Sequence, residues 1–514
     1  MGDSKKLFDE RFKHFKDLEP AELKDGNSNE ILYGSRFTRQ EMPKTEMLKE
    51  SMPARQAKQL VLDMCQINAN PRLDLASFVT TWMEPEAEEI IAATQAINMV
   101  DVSQYPQCAE MEQRCVRMLG SLWHAPKPKS DDQGEQPLGA STIGSSEACM
   151  LGGLALKRRW QVARKKAGKP TDKPNLVLGA NAQVCWEKFC EYWDVEGRYV
   201  PVTKDYPVMN PEDARKHMDE NTIGLVVMFG STYNGQFEDV VLADKIVAEE
   251  NKKNGWDMRI HVDGASGAMI APFIYPEVEF DFRVPNVSSI NCSGHKYGLV
   301  YPGVGWVVWR NRACVDESLI FHVAYLGTDQ PSLNLNFSKN ANMVVAQYYQ
   351  FLRLGFEGYR DIMSNLMKVS GHLAEGILGT GHFKLIGGGK GLPLVAFALK
   401  DGRKDKEGND CVYDEYDIMA RMKEHHWQIP AYTLPDNAKS QKMLRVTVRE
   451  DFSYELASDL ITDLKTVIEW LDHHFIYSEE KMNELRGKFQ AHHPSKGKHH
   501  NSHHPANKKK TGVC

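Results

Sequence analysis

The stretch Ser-Ile-Asn-Cys-Ser-Gly-His-Lys-Tyr-Gly at residues 289–298 decides how this chain is read. Its first half is a short buried strand, and its second half turns on small residues that let backbone and hydroxyls approach an anion. Upstream, His-Val-Asp-Gly-Ala-Ser-Gly at 261–267 ends another apolar run, at the distance one strand-helix-strand excursion requires. The two segments place a lysine and an aspartate at two strand ends. That pair fits pyridoxal phosphate chemistry, in which an amine holds the aldehyde and a carboxylate keeps the pyridine nitrogen protonated. Lys296 and Asp263 are the candidates.

Working outward, Asn175–Gly179, Arg198–Val202, Ile223–Phe229, Arg259–Val262 and Ser288–Cys292 read as short buried strands. Helical segments such as Pro211–Met218 and Val240–Glu250 separate them, which predicts an α/β fold with a mainly parallel sheet flanked by helices. Ligands of such sheets bind outside the carboxyl ends of the strands, where Asp263 and Lys296 fall. Val304–Trp309 reads as a further, antiparallel strand. Gly144-Ser145-Ser146-Glu147-Ala148 precedes an apolar helical run, so two hydroxyls stand at a helix start. Alone this is equally a helix cap; beside Lys296 and Asp263 it completes a phosphate cradle.

The rest of the chain divides by pattern. Residues 1–55 are polar and predict an N-terminal arm at a subunit interface, and 56–345 form the large cofactor-binding domain. Residues 346–477 carry a long helix and the strands Leu394–Leu399 and Met443–Val448, a smaller C-terminal α+β domain. Residues 478–514 make a basic, His-rich flexible tail; from Arg486 onward it has seven basic residues, six histidines and no acidic residue. Over 514 residues the composition is 42% hydrophobic and 26% charged, with a formal charge of -6, which argues against a nucleic-acid surface. No apolar stretch approaches the roughly 20 residues of a membrane helix. Ten cysteines without paired spacing, and an opening without an apolar signal core, predict reduced thiols in the cytosol.

Several long motifs in order name a family. Ser-Phe-Val-Thr-Thr-Trp-Met at 77–83, Gly-Ser-Ser-Glu-Ala at 144–148 and Gln-Val-Cys-Trp-Glu-Lys-Phe at 183–189 closely resemble glutamate decarboxylase of the plant type, a group II pyridoxal phosphate-dependent decarboxylase. The 261–267 segment, Ser-Gly-His-Lys-Tyr-Gly-Leu-Val-Tyr at 293–301, Tyr-Leu-Gly-Thr-Asp-Gln at 325–330 and Phe-Glu-Gly-Tyr-Arg at 356–360 extend the match. The resemblance implies a fold-type I enzyme whose active site lies at a dimer interface, in a homo-oligomer that can reach a hexamer. It implies conversion of L-glutamate to 4-aminobutyrate and carbon dioxide through an imine of the substrate with pyridoxal 5'-phosphate. Carried over by motif, Lys296 is the Schiff-base lysine and Asp263 the pyridinium partner. Ser145, Ser146, Ser293 and His295 hold the phosphate, with Ser338 reaching from the neighbouring subunit. Gln183 and Ala265 sandwich the ring, and Thr232 sits near its phenolic oxygen. Relatives acting on aromatic amino acids usually stack a histidine where Gln183 stands, which favours the glutamate branch.

For the substrate, Arg445 in Met-Leu-Arg-Val-Thr-Val-Arg resembles the family's α-carboxylate arginine, with Arg449 a close competitor. Ser77, Phe78, Asn98 and Asp101 match the distal-carboxylate site, partly donated by the partner chain. Asp101 beside a substrate carboxylate requires a shared proton, which predicts an acidic activity optimum. Tyr325 is the family-based candidate for proton delivery, and an interface tyrosine is its alternative. Two other functions compete: a pyridoxal phosphate decarboxylase for another amino acid, and a non-catalytic homologue that partners a calcium sensor or a metal through the tail. No metal is expected at the active site. In the tail, Met482, Leu485 and Phe489 share a helical face beside Lys481, Arg486 and Lys488, which a calmodulin groove could take; a solvated tail is the alternative.

Overall fold

The computed structural model describes residues 2–13, 41–49, 51–127, 137–323, 330–404, 408 and 411–474. The chain forms two units, one up to Ala69 and one from Asn70 onward. The first contains α1 (Gly2–Phe12) and α2 (Ala54–Cys65). Tyr325 and the tail from residue 478, with its calmodulin and metal readings, lie outside the described residues, as does much of the arm.

In the second unit, α3 (Pro85–Thr94) and α4 (Pro106–Leu122) precede β1 (Leu138–Thr142) and α5 (Ser145–Lys166). Alternation follows: β2 (Asn175–Gly179), α6 (Val184–Tyr192), β3 (Glu196–Val200), α7 (Pro211–Ala214), β4 (Thr222–Met228), α8 (Val240–Asn254) and β5 (Arg259–Asp263). Short α9 (Ala271–Ile274), β6 (Val287–Ser293) and β7 (Gly305–Trp309) close the sheet. Its order is β1-β7-β6-β5-β4-β2-β3. Pairs from β3 across to β6 are parallel, and β7 runs antiparallel to both of its neighbours. Every residue of β2, β4, β6 and β7 is buried, as strands covered on both faces by helices require.

The expected strands therefore occur within two residues of their expected limits. β3 starts at Glu196 rather than Arg198. β1 is an addition, because Leu-Gly-Ala-Ser-Thr lacks the β-branched apolar run that marks a strand and is fixed by its ladder to β7.

Beyond the sheet come the ribbon β8 (Phe321–Val323) and β9 (Gln330–Ser332) and the long α10 (Asn342–Gly379). Then β10 (Phe383–Leu385), β11 (Leu394–Leu399), α11 (Glu415–Met422), β12 (Ala431–Thr433) and β13 (Lys442–Thr447) form a smaller antiparallel sheet of order β10-β11-β13-β12. α12 (Tyr454–His474) packs on α10 and α11. One continuous apolar core runs from Leu75 to Leu471 and includes residues of both sheets. Among the described residues, no helix is long and apolar enough to cross a membrane.

Candidate active site

The site begins where β5 and β6 end side by side, with Asp263 in register with Asn291. Three residues past β6, Lys296 is enclosed, its ammonium 5.3 Å from the Phe78 ring centroid. Burial pushes its pKa down, nearby Asp263 opposes that shift, and the Arg445 charge adds to it. The turn that carries Lys296 is clamped from outside the sheet. Thr80 donates its backbone N–H to the His295 carbonyl at 2.8 Å and its hydroxyl to the Lys296 carbonyl at 2.9 Å.

Asp263 sits in a cage of donors. The Trp186 indole N–H reaches Oδ2 at 2.8 Å, and the Cys149 thiol lies 3.5 Å from the same oxygen. Oδ1 accepts from the Asn291 amide and the Ala265 backbone N–H, both at 3.1 Å. Asn291 donates a second time, to Ser145 Oγ at 2.7 Å, so one amide ties the carboxylate to the start of α5. With both N–H groups spent on oxygens, its Oδ1 must accept, from His261 Nε2 at 2.8 Å. His261 Nδ1 then accepts from the Ser289 hydroxyl at 2.8 Å. The imidazole is neutral near pH 7, because burial lowers its pKa to about 4 against the opposing pull of Asp263. A Cβ at position 152 would lie 2.5 Å from this ring, so Gly152 lets α5 pass over it.

The start of α5 forms the other end of the site. Ser145 and Ser146 line a cavity of about 260 Å³ together with Gly144, Ser293 and His295. A Cβ on Gly305 would come within 2.7 Å of the Ser145 nitrogen, so this glycine permits the close approach of β7 to the helix start. Ser293 Oγ is fully buried and has no hydrogen-bond partner. An orphaned hydroxyl beside helix-terminal N–H groups fits a phosphate oxygen, so the residues present suit pyridoxal phosphate. His295 Nδ1 lies 3.1 Å from the Val304 carbonyl. Burial, and after it the Lys296 charge, lower its pKa to about 4; an incoming phosphate would favour its charged form.

Gln183, Thr232, Ala265, Ser77 and Phe78 line the same cavity, as do Asp263 and Lys296. Gln183 caps α6, its side-chain oxygen accepting from the Cys185 N–H at 2.6 Å. Arg445 lies against the back of Phe78, its guanidinium carbon 4.8 Å from the ring centroid. It donates to the Thr232 carbonyl and, at 2.5 Å, to the Ala76 carbonyl, while its Nε is buried without a partner. Arg449 is committed elsewhere. It donates to the carbonyls of Asp74 (2.6 Å), Ser77 (3.0 Å), Pro71 (3.0 Å) and Arg72 (3.3 Å), which organises the loop that presents Ser77 and Phe78.

Asn98, Asp101 and Ser338 are absent from this cavity's lining, and Arg445 reaches it only through Phe78. Asn98 donates to Ser338 Oγ at 3.3 Å, and Asp101 accepts from Ser103 at 3.3 Å. A larger hollow of about 610 Å³ lies between α4 and α10. Its walls are mostly apolar, and two of its polar lining residues, His124 and Arg283, both engage Asp281, so it offers no comparable chemistry.

The sequence reading overlooked Asn291, His261, Trp186 and the four-carbonyl role of Arg449. A signal for the first existed: Ser289, Asn291 and Ser293 alternate along a strand buried on both faces, so three polar groups share one side.

Comparison with known proteins agrees with this geometry. The model of the pyridoxal-dependent decarboxylase conserved domain matches residues 46–400. A glutamate decarboxylase of Petunia hybrida is 50% identical over 440 residues, 86% of this chain and 86% of the relative. One from Lactococcus lactis subsp. lactis is 43% identical over 461 residues, 89% of this chain and 96% of the relative. The solved glutamate decarboxylase of Lactobacillus brevis superposes with a TM-score of 0.82 at 42% identity, covering 88% of this chain and all of that one. With a lysine and an aspartate at adjacent strand ends, a hydroxyl cradle at the start of α5 and relatives aligned along most of its length, the chain belongs to the pyridoxal-dependent decarboxylases, in the glutamate decarboxylase branch.

Proposed function

We propose that this protein removes the α-carboxylate of L-glutamate, giving 4-aminobutyrate and carbon dioxide, with pyridoxal 5'-phosphate as cofactor. The observation that carries the reading is the pair of half-buried Lys296 and buried Asp263, the latter joined through Asn291 to the hydroxyl cradle at Ser145. The cofactor, when bound, supplies a ring that accepts the electrons of the breaking C–C bond. Lys296 provides the amine for its covalent attachment, and burial helps keep that amine free of a proton. Asp263, fixed by four donors, holds a negative charge where the ring nitrogen must stay protonated. Ser145, Ser146, Ser293 and His295 take the phosphate, while Gln183, Ala265 and Thr232 bound the ring. Arg445, whose cation stacks on Phe78 at the border of the cavity, is the group we assign to the α-carboxylate. The four carbonyl partners of Arg449, against two for Arg445, support this choice between the two arginines. Ser77 and Phe78 border the side-chain pocket, and Tyr325 keeps its family-based role in proton delivery.

The separation of Asn98, Asp101 and Ser338 from this chain's own cavity supports a homo-oligomer in which they serve a neighbouring copy. Among the described residues the cysteines form no disulfide, which supports a cytosolic setting. The Met482, Leu485 and Phe489 face supports calmodulin as a partner of the tail. Activation by calcium-calmodulin near neutral pH, lost on truncation after Tyr477, checks that assignment; equal activity of both forms makes the tail a solvated segment. The central test is product analysis with glutamate, aspartate and tyrosine. Carbon dioxide and 4-aminobutyrate from glutamate alone are expected, and faster turnover of either other substrate overturns the proposal.

A further inference from the structure

Two buried thiols flank the Asp263 carboxylate. Cys149 lies on α5 one turn beyond Ser145, and Cys185 lies in the first turn of α6. One Sγ of each and a carboxylate oxygen of Asp263 all lie within 4.8 Å of one another. The separation of Cys149 Sγ from Asp263 Oδ2 is 3.5 Å. A tetrahedral zinc ion, with bonds of about 2.3 Å to sulfur and about 2.0–2.2 Å to oxygen, has a sulfur-oxygen edge of about 3.5–3.7 Å. The one measured edge therefore already has the length such an ion imposes. All three residues line the active-site cavity, so a fourth ligand position opens onto it.

We propose that, in the cofactor-free protein, Cys149, Cys185 and Asp263 bind a thiophilic divalent cation of the zinc or cadmium class, which takes the place of the cofactor's ring nitrogen against Asp263 and so competes with cofactor loading. The site calls for positive charge, since the carboxylate is held by donors and, among the described residues, by no ion pair, with Lys296 as its nearby cation. Trp186 occupies one lone pair of Oδ2 and leaves another for a metal. Two sulfur ligands select zinc or cadmium over magnesium or calcium, which prefer all-oxygen sites.

On binding, two S–H bonds break and two metal–sulfur bonds form. Both protons pass to solvent, and the carboxylate contributes a lone pair. The dication with two thiolates and one carboxylate carries a net single negative charge, next to Lys296. No oxidant or reductant is involved. Burial raises the Cys149 pKa well above that of an ordinary thiol, so the metal must displace its proton. The proposal goes beyond the decarboxylase reading, and only its competition arm rests on that reading.

The test uses the full-length chain freed of pyridoxal phosphate and titrated with cadmium, followed by the ultraviolet thiolate-to-cadmium absorption. Cys149→Ser and Cys185→Ser should each weaken binding at least tenfold, whereas Cys108→Ser, which alters a buried thiol on α4, should not. Wild-type protein needs no substitution for the second arm: prior loading with pyridoxal phosphate should suppress the cadmium band, and bound cadmium should slow the return of the visible cofactor band. Unchanged cadmium binding in both serine variants overturns the site. Normal cofactor loading in saturating cadmium overturns the competition while leaving the decarboxylase reading intact. A metal-free protein that forms no cofactor band overturns that reading and the competition together.

Discussion

The floor and the rim of the active site are built by different means. The floor is the ends of β5 and β6 with the start of α5, where backbone ladders put Asp263, Asn291 and Ser293 in place and a buried network joins them. The rim is the loop from Pro71 to Thr81, where isolated backbone bonds such as Thr447 N–H to the Leu75 carbonyl at 3.0 Å are joined by side chains from the far end of the chain: Arg445 on Ala76, Arg449 on four carbonyls, and Glu450 on the Thr81 N–H at 3.2 Å. A ladder spreads its constraint over many hydrogen bonds, whereas the rim concentrates it in a few charged groups. Floor substitutions should therefore damage the chemical step, and rim substitutions should loosen substrate first.

The largest effect is expected from Lys296→Ala, which removes the only amine among the cavity-lining residues. Turnover and the borohydride-sensitive visible band should both vanish; steady decarboxylation at the wild-type rate would break the floor assignment at its centre. Asp263→Asn keeps the shape and loses the charge, with an expected cost of about 3–4 kcal/mol in transition-state stabilisation. Single-turnover rates with cofactor bound measure it, and a near-normal rate would reduce Asp263 to a structural residue.

On the rim, Arg445→Lys exchanges a planar fork for a point charge and should lower kcat/KM while raising the share of abortive transamination. An unchanged product ratio would remove Arg445 from the carboxylate. Arg449→Lys cannot satisfy four carbonyls and should act mainly through KM, as the loop presenting Ser77 and Phe78 relaxes. If kcat fell as steeply as in Asp263→Asn, the contrast between floor and rim would fail.

The smallest effect concerns pH. His261 and His295 both have pKa values lowered to about 4 by burial, below the roughly 6.5 of an unfolded chain. Their unfolded forms bind protons first, so their contribution to stability is whole above about pH 6.5 and is lost as pH falls toward 4. Bound phosphate should raise the His295 value and shrink that loss, so acid denaturation of the cofactor-loaded protein should begin at lower pH than that of the cofactor-free protein. Coincident acid transitions would detach His295 from the phosphate.

The sequence by itself determined the strand-helix alternation, the position of Asp263 and Lys296 at strand ends and the hydroxyl start of α5, because each depends on residues close together in the chain. Apolar runs, turn residues and a helix start are local statements, and the structure repeats them with small shifts, as at β3. Only the tertiary structure decided that Asn291 bridges Asp263 to Ser145, that Cys149 and Cys185 meet at Asp263, and that Arg449 serves the loop while Arg445 faces Phe78. Those partners lie tens to hundreds of positions apart. Two arginines four residues apart, one on β13 and one just past its end, carry the same local pattern, and what separates them is which distant carbonyls and rings the fold brings within reach.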